Sequence, residues 1–284
     1  MAGLPLLDRV APGDHVCWAV DDDRVRLDAI AAYVQAGLRA RQKVAYCGDD
    51  PEEVLTGIAD RGVATREPLR TGQLQAVTPE ASYLAGGSFD AEATIGLVEA
   101  GAVQARREGY PGMRVIGDMS WAQRRVPGAE RLAWYEATIN TLFTEGYLIG
   151  VCAYDRRLFD PALMRRFTCA HPGAATTGMP YNPSISLRIR RTLRPYGLRL
   201  SGEADLSNRA ALAAVIEQVI ECKESTIDVS ELRFADMAAA RILVDAATAG
   251  PGRLRVVGCS PTLVRLLRFQ NSDAVPGLIV EARR

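Results

Sequence analysis

A chain of 284 residues is long enough for two ordinary domains, each burying a core of its own. Its 34 Lys and Arg balance 34 Asp and Glu, which leaves no electrostatic footprint for nucleic acid or an anionic membrane, so neither is expected as a partner. No apolar run reaches the ~20 residues that cross a bilayer, and the opening Met-Ala-Gly-Leu-Pro-Leu-Leu-Asp lacks a basic n-region and a long apolar h-region, so a cytoplasmic protein is expected.

The first half alternates strand and helix. Strands are predicted over 15–20, 43–48, 73–77, 113–119 and 148–154, and helices over 24–40, 52–59, 91–108, 130–145 and 156–169. That rhythm predicts a parallel sheet with helices on its faces. From Pro172 to about Pro195 the texture changes to turn chemistry, followed by Arg188, Arg190, Arg191 and Arg194. This stretch is read as a linker, its arginines as a solvated linker or edge strand rather than a phosphate patch. Beyond it, strands over 198–201, 226–229, 254–258 and 278–281 and helices over 208–222, 237–248 and 262–269 predict a smaller α/β sandwich. The expected division is 7–172, a linker over 173–195, and 196–284.

Six cysteines are spread without a Cys-x-x-Cys pair, so neither a zinc ribbon nor a thioredoxin-type motif is present, and free thiols are expected. A phosphate-binding loop needs a Gly-rich turn ending in Lys-Ser or Lys-Thr. Between the first strand and helix this chain has Ala19-Val-Asp-Asp-Asp-Arg24 instead, and three carboxylates there repel a triphosphate. In an open parallel sheet, ligands bind beyond the carboxyl ends of the strands. Cys17 and Trp18, Cys47 with Asp49, Asp118 with Trp121, and Tyr154 with Asp155 fall at such ends and suggest a pocket for a small organic molecule.

His15, Cys17, Cys152 and His171 hold the donor types of a metal site. Against this, His15 makes sense as a buried hydrogen-bonding group at a strand start and His171 as a cap of the preceding helix, and no metal or cofactor is the default expectation. Asp118 and Glu136 offer an acid/base pair, but no nucleophile or phosphate loop accompanies them, so binding rather than catalysis is expected.

In the second half, Ile227, Val229, Leu232 and Phe234 form a strand and its exit, and Asp236 stands where it can cap the helix beginning at Met237. With Gly202-Glu-Ala-Asp205-Leu and Leu254-Arg-Val-Val-Gly258, this resembles the STAS domains, the anti-sigma factor antagonists. The resemblance implies docking onto an anti-sigma factor or a serine kinase of the switch-protein type through the region of Asp205, Asp236, Met237, Ala238 and Ala239. In that family the Asp is followed by Ser-Ser-Gly or Ser-Thr-Gly, and a serine there is phosphorylated. Met237, Ala238 and Ala239 replace those residues here, so that switch has no hydroxyl to act on. Ser207 and Ser230 are the nearest retained hydroxyls, with a cap or turn role expected.

The first half carries His15-Val-Cys-Trp18, Tyr83-Leu-Ala-Gly-Gly-Ser-Phe-Asp90, Gly117-Asp-Met-Ser-Trp121, Tyr135-Glu136 with Asn140, Cys152-Ala-Tyr-Asp155 and Ala170-His-Pro172. These resemble the MEDS domain, the methanogen/methylotroph sensory domain. The resemblance implies a RecA/KaiC-like parallel-sheet sensor without the phosphate loop, fused to the STAS-type sandwich, and an unknown small-molecule ligand. The ligand candidates are His15, Cys17, Trp18, Tyr83, Asp118, Trp121, Glu136, Cys152, Tyr154 and His171. The expected protein is a signalling regulator whose output is binding. A degenerate RecA-like enzyme or nucleotide binder and a non-sensing scaffold are the rival readings, and a homodimer stays open.

Overall fold

A computed structural model describes residues 10–176 and 184–283. The N-terminal half contains β1 (His15–Val20), α1 (Asp23–Arg39), β2 (Lys43–Cys47), α2 (Pro51–Ala59), α3 (Arg66–Thr71), β3 (Leu74–Val77), α4 (Ala91–Arg107) and β4 (Met113–Asp118). It continues with α5 (Leu132–Thr138), α6 (Asn140–Phe143), β5 (Leu148–Asp155), α7 (Pro161–Cys169), β6 (Gly173–Thr176) and the short β7 (Ser184–Ile185). The C-terminal half contains β8 (Leu187–Leu193), β9 (Tyr196–Ala204), α8 (Arg209–Val219), β10 (Glu224–Ala235), α9 (Met237–Ala249), β11 (Arg253–Cys259), α10 (Pro261–Phe269) and β12 (Leu278–Ala282).

The first sheet runs β3-β2-β4-β5-β1-β6-β7. Its first six strands are parallel, the RecA/KaiC-like arrangement expected, and β7 alone is antiparallel. Strand β5 lies at its centre, and Leu148 to Tyr154 is an unbroken buried run, as a strand covered on both faces requires. One face carries Val16, Trp18, Val20, Ile149 and Val151 against α1 and α2. The opposite face carries Cys17, Cys152 and Tyr154 with Phe143, Tyr135 and Phe167. The second sheet runs β12-β11-β10-β9-β8, with only β8 antiparallel to its neighbour, and packs on a separate core from Leu187 to Leu267.

Three expectations change. The helix predicted over 156–169 begins at Pro161, because the Asp160 side chain accepts from the Ala162 and Leu163 backbone N–H groups and Pro161 takes the first turn. The helix predicted over 130–145 is divided into a short 3₁₀ turn, α5 and α6. Its break falls where the Asn140 amide donates to the Glu136, Ala137 and Ala170 carbonyls, competing for backbone acceptors inside the helix. The segment read as linker is strand in its described parts: Gly173–Thr176 pairs with β1, and Leu187–Leu193 pairs with β9. Residues 177–183 lie outside the described residues. In β8, Leu187 and Ile189 alternate into the core while the arginines between them face outward, the period of a half-buried strand.

Those arginines bind the two halves together. The side chain of Asp14 is fully buried and accepts from Arg188 Nε at 3.0 Å, Arg188 Nη2 at 3.1 Å and Arg190 Nη2 at 3.3 Å. Arg190 also donates to the carbonyls of Gly13 and Pro12, and Gly13 has φ +87°, with no room for a β-carbon beside that guanidinium. The backbone adds Arg191 N–H to Thr144 O at 2.9 Å and Leu187 N–H to Pro172 O at 3.2 Å. Helix α8 packs beside α5, α6 and α7. Replacing both arginines by alanine leaves the Asp14 carboxylate with the Ala11 N–H but without a cation. We expect a loss of about 2–3 kcal/mol in chemical denaturation, less than for a fully buried pair because the guanidinium groups are 42% and 31% exposed. The Arg188→Ala/Arg190→Ala variant should also separate one unfolding transition into two, and an unchanged denaturation curve would contradict this role.

Candidate functional site

On the face opposite α1, one buried cluster forms from four distant parts of the chain. His15 opens β1, Cys152 lies on β5, Glu136 on α5, and His171 follows α7. Their donor atoms all lie within 4.8 Å of one another, and among the described residues this is the one such group of His, Cys, Asp and Glu. Gly150 makes the space, since a β-carbon there would stand 2.6 Å from Phe143 and 2.9 Å from His15. His15 stacks on Phe143 at 4.6 Å and lies 4.3 Å from the His171 ring.

The hydrogen bonds fix how each group is presented. The Asn140 Nδ2 group gives its protons to carbonyls, so its Oδ1 faces His15 Nδ1 at 2.9 Å and that nitrogen carries the proton. His171 Nδ1 likewise faces the Phe167 carbonyl at 2.8 Å. Both Nε2 atoms therefore turn toward Glu136 Oε2, at 3.5 Å from His15 and 3.3 Å from His171. Tyr154 OH donates to Glu136 Oε1 at 2.5 Å. Burial, then the charge of His171, lowers the His15 pKa to about 3, so its ring is neutral. Burial works to raise the Glu136 carboxyl, but the facing imidazoles and Tyr154 hold it below the usual value.

The structure divides the candidate ligand residues among five places. His15, Glu136, Cys152, Tyr154 and His171 meet in this cluster. Cys17 shares the sheet face but stands two residues along β1, about 6.6 Å further on, with its thiol 3.9 Å from Thr168 Oγ1. Glu136, not Cys17, stands with His15, Cys152 and His171. Trp18 is core on the other face of the sheet. Tyr83 and Trp121 stack at 5.5 Å inside an aromatic cluster with Phe89 and Tyr135. Asp118 pairs with Arg26 at 2.7 Å and accepts from Ser120. It lines a polar recess of about 170 Å³ with Asp23, Asp49, Asp50, Glu53 and Asp155, too acidic for a phosphate and smaller than the usual ligand pocket.

The large cavity lies elsewhere and was missed in the sequence. It measures about 790 Å³ and is mostly apolar, with Phe159, Pro161, Met164, Thr168 and Cys169 on the N-terminal side and Asp205, Leu206, Phe234 and Asp236 on the C-terminal side. The side chains that line the latter wall are held by local caps. Asp205 accepts from the Ser207 N–H and hydroxyl, the turn role expected for that serine, and Asp236 accepts from Ala239 N–H as the cap of α9. Met237 is 40% exposed, Ala238 half-buried and Ala239 buried. Cys169 Sγ reaches the Leu206 carbonyl at 3.2 Å, so the two walls touch at the cavity edge.

Comparison with known proteins agrees with this division. Residues 14–172, more than half the chain, match the family described as "MEDS: MEthanogen/methylotroph, DcmR Sensory domain". Residues 187–281 match the family described as "Mlab, STAS domain", so the STAS module includes β8. No curated protein matches the chain. Among solved structures, the flagellar accessory protein FlaH from Methanocaldococcus jannaschii is similar at 10% identity over 71% of this chain and 82% of its own, with a TM-score of 0.38.

The burial of the thiols gives a direct check on both sites. Burial pushes Cys17 and Cys47 up to about 12 and Cys259 up to about 11, and raises Cys152 well above its usual value. Of the six cysteines, only the exposed Cys222 and the half-buried Cys169 should react with a thiol reagent in the native protein near neutral pH. Mass spectrometry of the labelled protein checks this, and rapid native labelling of Cys17 or Cys152 would contradict the packing described.

Proposed function

The chain thus belongs to the MEDS sensory-domain family, and we propose that it is a signalling regulator in which a small apolar ligand governs whether its STAS module can dock onto a partner. The partner is an anti-sigma factor or a switch-type serine kinase, and the output is binding rather than catalysis. A single observation carries this reading: Asp205 and Asp236, in the region expected to meet a partner, line the same cavity as α7 of the sensory half.

The control is steric and energetic. A partner that needs the Asp205 and Asp236 loops competes with α7 for the same surface. The cavity volume falls in the range of small-molecule pockets. A ligand that touches both walls favours the closed arrangement, and it can shift the balance only by its differential affinity for closed over open. Phosphorylation contributes nothing at Met237, Ala238 or Ala239, which carry no hydroxyl. Regulation by a noncovalent ligand takes its place. The recess around Asp118, ringed by six carboxylates against Arg26, argues against the nucleotide-binding alternative.

The test compares wild type with the Arg188→Ala/Arg190→Ala variant, in binding to the switch-type serine kinases of the source organism by calorimetry. Loosening the clamp exposes the STAS face and should tighten binding at least tenfold, about 1.4 kcal/mol. Equal affinity for the two forms would sink the reading. In parallel, short apolar organic compounds that raise the melting temperature should slow labelling of Cys169, which lines the cavity. Stabilisation without protection of Cys169 would place the ligand elsewhere.

A further inference from the structure

We infer that His15, Glu136, Cys152 and His171 bind one tetrahedral divalent metal ion, zinc by ligand type, at the centre of the sensory half. The argument begins with distances. Tetrahedral zinc with the usual Zn–N, Zn–O and Zn–S bonds sets its ligand atoms about 3.3–3.6 Å apart. Here His15 Nε2 lies 3.3 Å from Cys152 Sγ and 3.5 Å from Glu136 Oε2. Glu136 Oε2 lies 3.3 Å from His171 Nε2 and 3.4 Å from Cys152 Sγ. Four of the six edges of such a tetrahedron therefore have its dimensions.

Hydrogen-bond accounting gives the second, independent observation. His171 is 1% exposed, and its Nε2 has no hydrogen-bond partner although it points at Glu136 Oε2. With each Nδ1 facing an oxygen of its own, the Nε2 atoms of His15 and His171 both turn on the same carboxylate oxygen. Two imidazole nitrogens, a carboxylate oxygen and the Cys152 sulfur thus converge on one buried point. A buried polar atom left without a partner is costly, and a cation satisfies all of these groups at once. The charge also closes: one carboxylate and one thiolate against a dication leave a neutral site, which a buried location demands.

The surroundings are those of metal ligands rather than of an ordinary buried polar cluster. Each histidine donates its far nitrogen to a fixed oxygen, Asn140 Oδ1 or the Phe167 carbonyl, the arrangement that sets the tautomer of a metal-bound imidazole. Tyr154 holds Glu136 Oε1, so Oε2 is the atom presented. Asn140 is a positioning residue: its amide, held by three carbonyls, orients His15. Four protein donors leave no open position, so the ion is structural. It ties β1, β5, α5 and the turn after α7 together. The residue after His171, Pro172, accepts from Leu187 N–H and the Ser186 hydroxyl, where the chain passes into the STAS module.

The test uses the full-length protein. Purified without chelator, it should carry about one equivalent of zinc by elemental analysis, and after chelation it should take up Co²⁺ with the visible bands of a tetrahedral site and a thiolate charge-transfer band. Cys152→Ser should remove the charge-transfer band and keep the fold by circular dichroism. Asn140→Ala should weaken Zn²⁺ binding by about 10–100-fold. A folded wild-type protein that holds no zinc and gives no Co²⁺ spectrum would overturn the proposal, as would a Cys152→Ser protein that keeps the thiolate band. Should the substituted proteins fail to fold, metal content and the Co²⁺ spectrum of the wild type decide alone.

Discussion

The buried carboxylate of Asp14 is the constraint on which the rest depends. A buried carboxylate is costly without partners, and the two cations that meet Asp14, Arg188 and Arg190, come from the other half of the chain. Because Asp14 immediately precedes His15, the same short segment anchors the STAS sheet on one side and the buried His/Cys/Glu cluster on the other. The clamp thereby fixes where β8 leaves the sensory half. With β8 placed, β9, α8 and the Asp205 turn follow, and the apolar wall of Leu206 and Phe234 comes to face α7.

In the proposed function, that geometry is what controls a STAS module without a phosphorylatable serine. In a charge-based switch, a phosphate at the start of a helix alters a docking surface by local repulsion. Here the start of α9 is Met-Ala-Ala, apolar and capped by Asp236, and offers packing area instead of a modification site. In the function proposed above, control comes from α7, whose Pro161, Met164 and Thr168, with Phe159 just before them, face Asp205, Leu206, Phe234 and Asp236 across the cavity. Linkage then requires only that a ligand prefer one arrangement, and the size of that preference sets the range of the response.

Much of the fold was legible in the residues. The apolar runs of β1, β4 and β5, the Asp236 cap of α9 and the absence of a phosphate loop are local features, and local features survive into the structure. What was not legible is what depends on distant contacts. Asp14 and Arg188 are 174 positions apart, and Cys152 stands 137 from His15. The run around β8 looked like a linker because its arginines dominate the composition. The alternation of Leu187 and Ile189 with Arg188 and Arg190 was the period-two signal that identified a strand. Cys17 was grouped with His15 by strand periodicity, which gives the correct face but not the distance, while Glu136 entered the cluster from a helix whose orientation no local pattern encodes.

Amide hydrogen exchange over residues 187–188 and 190–192 tests the central claim most directly, because the Leu187 and Arg191 N–H groups are bonded to the Pro172 and Thr144 carbonyls of the sensory half. In the wild type they should exchange slowly, and in the Arg188→Ala/Arg190→Ala variant both should accelerate together while the core strand β5 stays protected. Identical exchange of the two segments in both proteins would contradict the account.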